Sequence, residues 1–206
     1  MVSQIVSAAF FCPRTKPPPE RYVDELRIFL RQNRYGVSLL AHVSTLESTW
    51  QLLSESREDI ASIPDGGYFT KLLADWGRDG STAPVCSAKT SIIALPLLIV
   101  LQLGQYLRYL ELYDIRHAEF LQQLGQYGGI HGYCGGGAAA LAIACAENEE
   151  EVVQHAAVFL RVVLGIGAAM EAADHQASQQ STTIAVRLKY EEQGQALIKR
   201  FPGVSS

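Results

Sequence analysis

A glycine-rich run between residues 128 and 137 constrains this chain more than any other feature of its sequence. The run has the sequence GGIHGYCGGG, and an alanine-rich segment, residues 138–146, follows it directly. Glycine lets the backbone turn sharply and lets other segments come close, whereas alanine favours a helix. The run therefore predicts a tight turn that leads straight into a helix, with Cys134 inside the turn.

Cys134 is the centre of a G-x-C-x-G pattern, with Gly132 two residues before it and Gly136 two residues after it. A sharp turn between a strand and a helix keeps a nucleophile exposed and rigid, and only glycine fits at those two flanking positions. The N-terminus of the following helix stabilises a thiolate, and the N–H of Gly135 would donate a hydrogen bond to an oxyanion. The pattern favours a thiol nucleophile that takes an acyl group from one thioester and passes it to a second thiol.

A second interpretation of the run stays open at this point. G-x-C-x-G alone is a weak pattern, and a glycine-rich helix start with an incidental buried cysteine would look the same. The other cysteines, Cys12, Cys86 and Cys145, have no flanking glycine pair and no C-x-x-C spacing. The absence of C-x-x-C spacing argues against a zinc site or a redox dithiol. We therefore expect free thiols that fill the core.

The composition indicates a folded protein without a nucleic-acid surface. Of its 206 residues, 48% are hydrophobic and 18% are charged, and the formal net charge is -4. Lys and Arg are too scattered to form the basic patch that nucleic acid needs. No basic segment precedes the apolar start, so a secretory signal is not expected. The most apolar stretch, residues 92–103, is shorter than a bilayer span and contains Pro96, so we expect a buried helix and no membrane partner. A cytoplasmic location is the corresponding prediction.

Hydrophobic periodicity predicts a helix-rich α/β domain. The apolar residues between Glu20 and Gln32 recur with the period of a helix. Further helices are predicted at residues 38–54, 68–76, 88–112, 115–124, 138–146, 149–173 and 190–200, and strands at 2–11 and 182–188. Residues 174–181 are predicted to be a loop. Strands separated by helices are typical of the α/β class.

Several further segments accompany the glycine-rich run. They are Phe11-Cys12-Pro13-Arg14-Thr15, Ala74-Asp75-Trp76, Ile93-Ala94-Leu95-Pro96-Leu97, Gln105-Tyr106-Leu107-Arg108-Tyr109-Leu110, Ser181-Thr182-Thr183 and Arg187-Leu188-Lys189-Tyr190. In this combination, which extends over essentially the whole chain, the sequence resembles the N-terminal part of the starter-unit acyl-carrier-protein transacylase domain of fungal non-reducing polyketide synthases.

The resemblance implies both a fold and a function. The fold would be that of malonyl transferases: an α/β-hydrolase-like core in residues 1–181, and the start of a truncated ferredoxin-like lobe in residues 182–206. The function would be that of an acyltransferase in secondary-metabolite biosynthesis. Cys134 would take a starter acyl group from a coenzyme A ester or an upstream fatty-acid synthase, and pass it to the phosphopantetheine arm of an acyl carrier protein. No bound cofactor is implied, and the partners would be a carrier protein and a synthase.

The catalytic base is the part of the machinery that the sequence does not supply. Family members take their catalytic histidine from a region beyond the small lobe, and nothing after Ser206 corresponds to it. Within the chain, His131 and His175 are the candidate bases, one close to the nucleophile and the other beside Asp174. The alternative function is therefore an inactive relative that only binds a carrier protein or a synthase partner. A lobe cut after one strand and one helix would also expose an unpaired strand edge, which predicts self-association.

Two further positions depart from the pattern of the family. Many relatives carry a glutamine in the loop after the first strand that helps to form the oxyanion site, and Arg14 occupies the matching position. Malonyl-type relatives hold a carboxylate with an arginine, and Ile166 aligns there, which suits an uncharged acyl group. No metal site is expected: the acidic run from Glu147 to Glu151 has no His or Cys at ligand spacing and is interpreted as a solvated helix start.

Overall fold

The structure, a computed structural model, describes residues 8–12 and 18–176, which form ten helices and two short strands. The chain order is β1 (Ala9–Phe11), α1 (Glu20–Gln32), α2 (Arg34–Ser44), α3 (Leu46–Ser56), α4 (Glu58–Ala61), α5 (Gly66–Arg78), α6 (Thr82–Ser87), α7 (Ser91–Tyr113), α8 (His117–Tyr127), β2 (Ile130–Gly132), α9 (Gly136–Ala144) and α10 (Glu149–Gln176). The strand, helix and small lobe predicted in residues 182–206 lie outside the described residues, and the domain boundary at residue 181 stays a prediction.

The two strands are parallel neighbours although more than a hundred residues separate them. Ala9 pairs with Ile130, Phe10 with His131 and Phe11 with Gly132. Parallel strands need a long crossover connection, and the helices from α1 to α8 provide it. The carboxyl ends of both strands therefore meet at one edge of the sheet. This arrangement confirms a helix-rich α/β architecture, while the finer assignment to a malonyl-transferase-like fold stays a prediction.

Helix α1 shows how local sequence sets the elements. Its apolar positions Val23, Leu26 and Leu30 recur at intervals of three and four residues, and all three are buried. The helix ends before Asn33, whose side-chain oxygen accepts hydrogen bonds of 3.0 Å from the N–H groups of Tyr35 and Gly36. Asn33 thus satisfies two N–H groups at the N-terminus of α2 that have no partner within the helix. Helix α2 can therefore begin directly after α1.

Helices α7 and α10 pack against each other in the core. Glu171 of α10 accepts hydrogen bonds from the hydroxyl of Thr90 at 2.9 Å and from the N–H of Ser91 at 2.6 Å. The carboxylate thereby caps the N-terminus of α7 from the neighbouring helix. An anion is favoured there because the first N–H groups of a helix have no partner within it.

Two of the described helices are long and apolar enough to cross a membrane, judged by length and composition alone: α7 and residues Glu149–His175 of α10. Residues 92–103 are part of a helix of 23 residues. The prediction that this segment is too short to span a membrane is therefore wrong. The predicted burial is confirmed, since 67% of the most apolar part of α7 is buried within the fold, against 39% for α10. Burial in the core therefore accounts for the hydropathy of α7.

The predicted elements differ from those of the structure in several places. The single helix predicted at residues 38–54 is divided into α2 and α3 at Thr45. The short helix α6 was not predicted, because Pro84 and the small residues around it give no apolar period. The loop predicted from Asp174 begins too early, because α10 continues to Gln176.

Burial corrects the expectation that the other cysteines fill the core, and it shows one buried histidine. Cys12 and Cys145 are exposed and do not fill the core, whereas Cys86 is half-buried. His117, on helix α8, is fully buried. Its Nε2 lies 2.9 Å from the carbonyl oxygen of Ala146, which can only accept, so Nδ1 is left to accept from the hydroxyl of Tyr106.

Candidate functional site

The chain makes a strand–turn–helix at the glycine-rich run. Strand β2 ends at Gly132, helix α9 begins at Gly136, and Cys134 lies in the turn between them, which we call the elbow. Cys134 has a φ of 52°, in the left-handed region that residues other than glycine seldom adopt. The turn exposes this cysteine to solvent. A strained, exposed thiol at the carboxyl edge of the sheet is thus the central feature of the site.

The two flanking glycines leave no space for a side chain. A Cβ atom on Gly132 would lie 2.5 Å from the Cα of Gly137, and a Cβ on Gly136 would lie 2.2 Å from the carbonyl oxygen of Phe11. Both distances are far shorter than a van der Waals contact. Gly132 therefore lets β2 approach α9, and Gly136 lets α9 approach the end of β1. The backbone of Tyr133 adds a hydrogen bond of 2.8 Å to the carbonyl of Phe11.

The N–H groups at the start of α9 differ in whether they donate a hydrogen bond to another backbone group. The N–H of Gly136 donates to the carbonyl of Tyr133 at 3.0 Å, and that of Gly137 donates to the carbonyl of Cys134 at 2.9 Å. The N–H of Gly135, next to the thiol, donates to none of the residues that the structure describes. A free donor directly after an exposed thiol is an arrangement that could stabilise an oxyanion.

The structure describes both candidate bases, His131 and His175. The ring of His131 stacks on Phe10 with its centroid 4.8 Å away, and its Nε2 donates to the carbonyl of Gly128 at 2.6 Å. His175 is exposed in the last turn of α10. Neither histidine forms a hydrogen bond with Cys134 in the described part of the chain. The role of the two histidines as bases stays a prediction. Arg14, which occupies the position of the relatives' oxyanion-site glutamine, lies outside the described residues.

A cavity of about 310 Å³ lies beside the elbow. Its lining consists of Phe10, Phe11, Cys12, Tyr22, Leu98, Leu101, Gln102 and Gln105, which we call the Gln102 pocket. The pocket is connected to the elbow because Cδ2 of Leu98 lies 3.0 Å from the place of a Cβ on Gly135. The pocket is therefore located where parallel sheets commonly bind ligands, beyond the carboxyl ends of their strands.

Neither Cys86 nor the acidic residues offer a competing site among the described residues. Burial, assisted by the charges of Glu20 and Asp24, raises the pKa of the Cys86 thiol and keeps it protonated. No group of three or more His, Cys, Asp or Glu in the described ranges could hold a metal ion. Glu151, in the acidic run, instead accepts hydrogen bonds from the N–H of Glu147 and from Asn148, at the start of α10.

Comparison with known proteins identifies the family. The sequence pattern described as "Starter unit:ACP transacylase in aflatoxin biosynthesis" matches residues 25–203 of the chain. The chain belongs to this family. The match includes the elbow, the cavity-lining part of α7 and all of α10.

The similar curated proteins are fungal non-reducing polyketide synthases. The chain is 48% identical to the non-reducing polyketide synthase Preu6 of Preussia isomera over 96% of its own length, and 39% identical to atr1 of Stereocaulon alpinum over 97%. It is 32% identical to stbA of Stachybotrys bisbyi over 98%. These proteins are much longer: the chain covers 9%, 8% and 9% of their respective lengths.

The Gln102 pocket contains a buried polar residue that was not among the predicted site residues. Gln102 is buried and donates from Nε2 to the carbonyl of Cys12 at 3.0 Å. Leu98 and Gln105 stand four residues before it and three after it, so all three lie on one face of α7. A polar residue within the most apolar stretch of the chain was the signal in the sequence that could have identified Gln102.

Proposed function

We propose that this chain acts as a starter-unit transacylase of polyketide biosynthesis, with Cys134 as the nucleophile that carries the acyl group. The observation that supports this proposal best is the left-handed backbone of Cys134 between two glycines that have no space for a Cβ. Strain at an exposed residue persists only where the surroundings enforce it, and it is concentrated at functional sites. The malonyl-transferase-like fold is part of the same proposal, supported by the parallel strands and by the turn.

The proposed reaction exchanges one thioester for another. The Sγ of Cys134 attacks the carbonyl carbon of an acyl-coenzyme A, and the N–H of Gly135 donates to the oxygen that becomes negative. The bond from carbon to the coenzyme A sulfur then breaks, and the released thiolate takes up the proton that Cys134 lost. In the second half the thiol of a phosphopantetheine arm attacks the carbonyl carbon of the acyl-cysteine. The bond from that carbon to Sγ of Cys134 breaks, and the proton of the attacking thiol returns to Sγ. The exchange needs no bound cofactor.

The partner in the second half would be an acyl carrier protein or a synthase that bears one. The family's description names the carrier protein as acceptor, and the similar proteins are polyketide synthases. The proposal assigns no residue as the base, because His131 donates its Nε2–H to Gly128 and His175 makes no hydrogen bond to the thiol among the described residues.

The test is the mass of the intact protein after incubation with acetyl-, hexanoyl- and octanoyl-coenzyme A. We expect an acyl adduct on the natural chain and none on Cys134→Ala. The matched control is Cys12→Ala, because Cys12 is also exposed and lies at the end of the neighbouring strand. This variant should keep the adduct.

Two results would overturn the proposal. An adduct that survives in Cys134→Ala and disappears in Cys12→Ala would identify a different nucleophile. No adduct with any donor, in protein that melts cooperatively, would favour the inactive relative that only binds a carrier protein or a synthase. Transfer of the adduct to a carrier protein is the second stage of the same experiment.

A further inference from the structure

Two exposed cysteines lie at the carboxyl ends of neighbouring strands. Cys12 directly follows β1, and Cys134 lies two residues after the end of β2. The strands are parallel and pair Phe11 with Gly132, so both leave the sheet at the same edge. The fold therefore brings together two thiols that are more than a hundred residues apart in the chain.

The contact between the two strands continues for one residue beyond the sheet. The N–H of Tyr133 donates to the carbonyl of Phe11 at 2.8 Å, which places Cys12 beside Tyr133. Neighbouring strands are about 4.8 Å apart, and consecutive Cα atoms are about 3.8 Å apart. One step along the strand from Tyr133 therefore puts the Cα of Cys134 about 6 Å from that of Cys12. Disulfides join cysteines whose Cα atoms are about 4.4–6.8 Å apart, so the two thiols are within reach of each other.

The backbone of Cys12 is held from two sides. Nε2 of Gln102 donates to the carbonyl of Cys12 at 3.0 Å, and a Cβ on Gly136 would lie 2.8 Å from the nitrogen of Cys12. The N–H of Gly136 donates to the carbonyl of Tyr133 at 3.0 Å, so the turn that contains Cys134 closes onto Cys12. Because both residues are already held in place, a bond between them costs little further chain entropy.

The other two cysteines are poorly placed to react with Cys134. Cys145 follows the last residue of α9, and the nine residues of that helix extend for about 14 Å, beyond the range of a disulfide. Cys86 is half-buried, and burial raises the pKa of its thiol, which disfavours the reactive thiolate. Cys12 is therefore the cysteine that can pair with Cys134.

We propose that Cys12 and Cys134 form a reversible disulfide in the presence of hydrogen peroxide, and that this bond switches off the acyl nucleophile. The Sγ of Cys134 attacks one oxygen of the peroxide, the O–O bond breaks, and a sulfenic acid and water form. The Sγ of Cys12 then attacks the sulfenic sulfur, the S–O bond breaks, and a second water leaves. The two thiols give up two electrons to the peroxide, and their hydrogens end in the two waters. The switch rests on the proposed function, whereas the bond itself does not.

The natural chain, treated with hydrogen peroxide and then with catalase, provides the first test. Its intact mass should be two hydrogens lower, and a chymotryptic digest without reductant should contain Cys12 and Cys134 in one linked peptide pair. Chymotrypsin cleaves after aromatic residues and leucine, so cuts at Tyr133 and Leu141 separate Cys134 from Cys145. Acylation by hexanoyl-coenzyme A should be lost in the oxidised protein and should return after treatment with dithiothreitol.

Cys12→Ser removes the second thiol and keeps the size of the side chain. After the same treatment this variant should gain two oxygens at Cys134 as a sulfinic acid, which dithiothreitol does not reduce. Its acylation should therefore stay lost, relative to its own rate before oxidation. Cys145→Ser is the matched control because Cys145 is also exposed, and it should lose and regain acylation as the natural chain does.

Three results would overturn the inference. They are a disulfide from Cys134 to Cys145 or to a second copy of the chain, a natural chain that gains two oxygens at Cys134 as readily as Cys12→Ser does, and a linked protein that is still acylated. If Cys12→Ser does not fold, the digest of the natural chain still identifies the bonded pair. A reduced chain that no thioester acylates would instead remove the proposed function and the switch with it, while the digest would still test the bond.

Discussion

Glycines bring backbone into close contact in several parts of this molecule, among them the elbow and the crossing of α7 with α10. A Cβ on Gly136 in the elbow would lie 2.2 Å from the carbonyl of Phe11, and a Cβ on Gly167 in α10 would lie 2.6 Å from the carbonyl of Ser91. The steric reason for glycine is the same in both parts. The residues around the two contacts, however, are in opposite environments.

At the crossing, the contact belongs to the core. Gly167 is buried, its neighbour Ala168 is fully buried, and both have regular helical geometry. In the elbow, the same kind of contact holds Cys134 exposed and in a left-handed conformation. Close packing therefore stabilises the core at the crossing, whereas in the elbow it also maintains a backbone conformation that Cys134 would not adopt by itself.

The largest effect is expected from Gly136→Ala. The added methyl group has to displace the end of β1 or the start of α9, because the atom it meets is backbone and cannot rotate away. A shift of about 1 Å in a reacting group can cost about 100-fold in rate, so we expect acylation of Cys134 to fall by at least about that factor. The measurement is the initial rate of adduct formation with hexanoyl-coenzyme A.

Gly137→Ala is the matched control for this variant, one residue along the same helix. Nothing lies within 4 Å of its added Cβ, and alanine suits a helix better than glycine. We expect Gly137→Ala to keep its rate and to gain about 0.5–1 kcal/mol of unfolding free energy. A Gly136→Ala protein that is acylated as fast as the natural chain would contradict the steric account of the elbow.

A smaller effect, of a different kind, is expected from Gly167→Ala. Its methyl group would force α10 away from the start of α7, which should lower the free energy of unfolding by about 1–3 kcal/mol. The acylation rate of the protein that stays folded should not change. Gly165→Ala, two residues earlier with nothing within 4 Å of its Cβ, should leave stability equal or slightly higher. A change in acylation rate in Gly167→Ala, measured well below its melting temperature, would show that the two regions are coupled.

The sequence allowed the elbow to be predicted better than the crossing. Gly132, Cys134 and Gly136 are within five residues, so one short pattern contained the whole turn. Gly167 and Ser91 are distant in the chain, and no local pattern shows that the two meet. The same holds for the Gln102 pocket, where Cys12, Tyr22 and Gln102 come together only through the tertiary fold.

Helix boundaries, too, were predicted correctly only where a local sequence pattern marks them. The bounds of α1 agree with the prediction because its apolar period is regular and proline precedes it. The break between α2 and α3 was missed because buried residues on both sides, Val43 and Leu46, continue one apolar pattern across Thr45. Asn33 was the available signal for the start of α2, since its side chain caps that helix.

The smallest effect is expected from replacing Cys134 itself. Variants without the thiol measure the strain of the backbone separately from the acylation reaction. A left-handed conformation costs a residue with a Cβ about 1–2 kcal/mol, whereas glycine adopts it freely. Glycine also loses more chain entropy on folding, which offsets about 0.4–1 kcal/mol of the gain. We therefore expect Cys134→Gly to be more stable than Cys134→Ala by about 0.5–1 kcal/mol, measured by urea unfolding, with no acyl adduct on either variant. A Cys134→Gly variant that is less stable than Cys134→Ala by about 0.4–1 kcal/mol, the entropy term alone, would mean that the elbow imposes no strain on this position. The glycines would then serve packing alone in the elbow, as they do at the crossing.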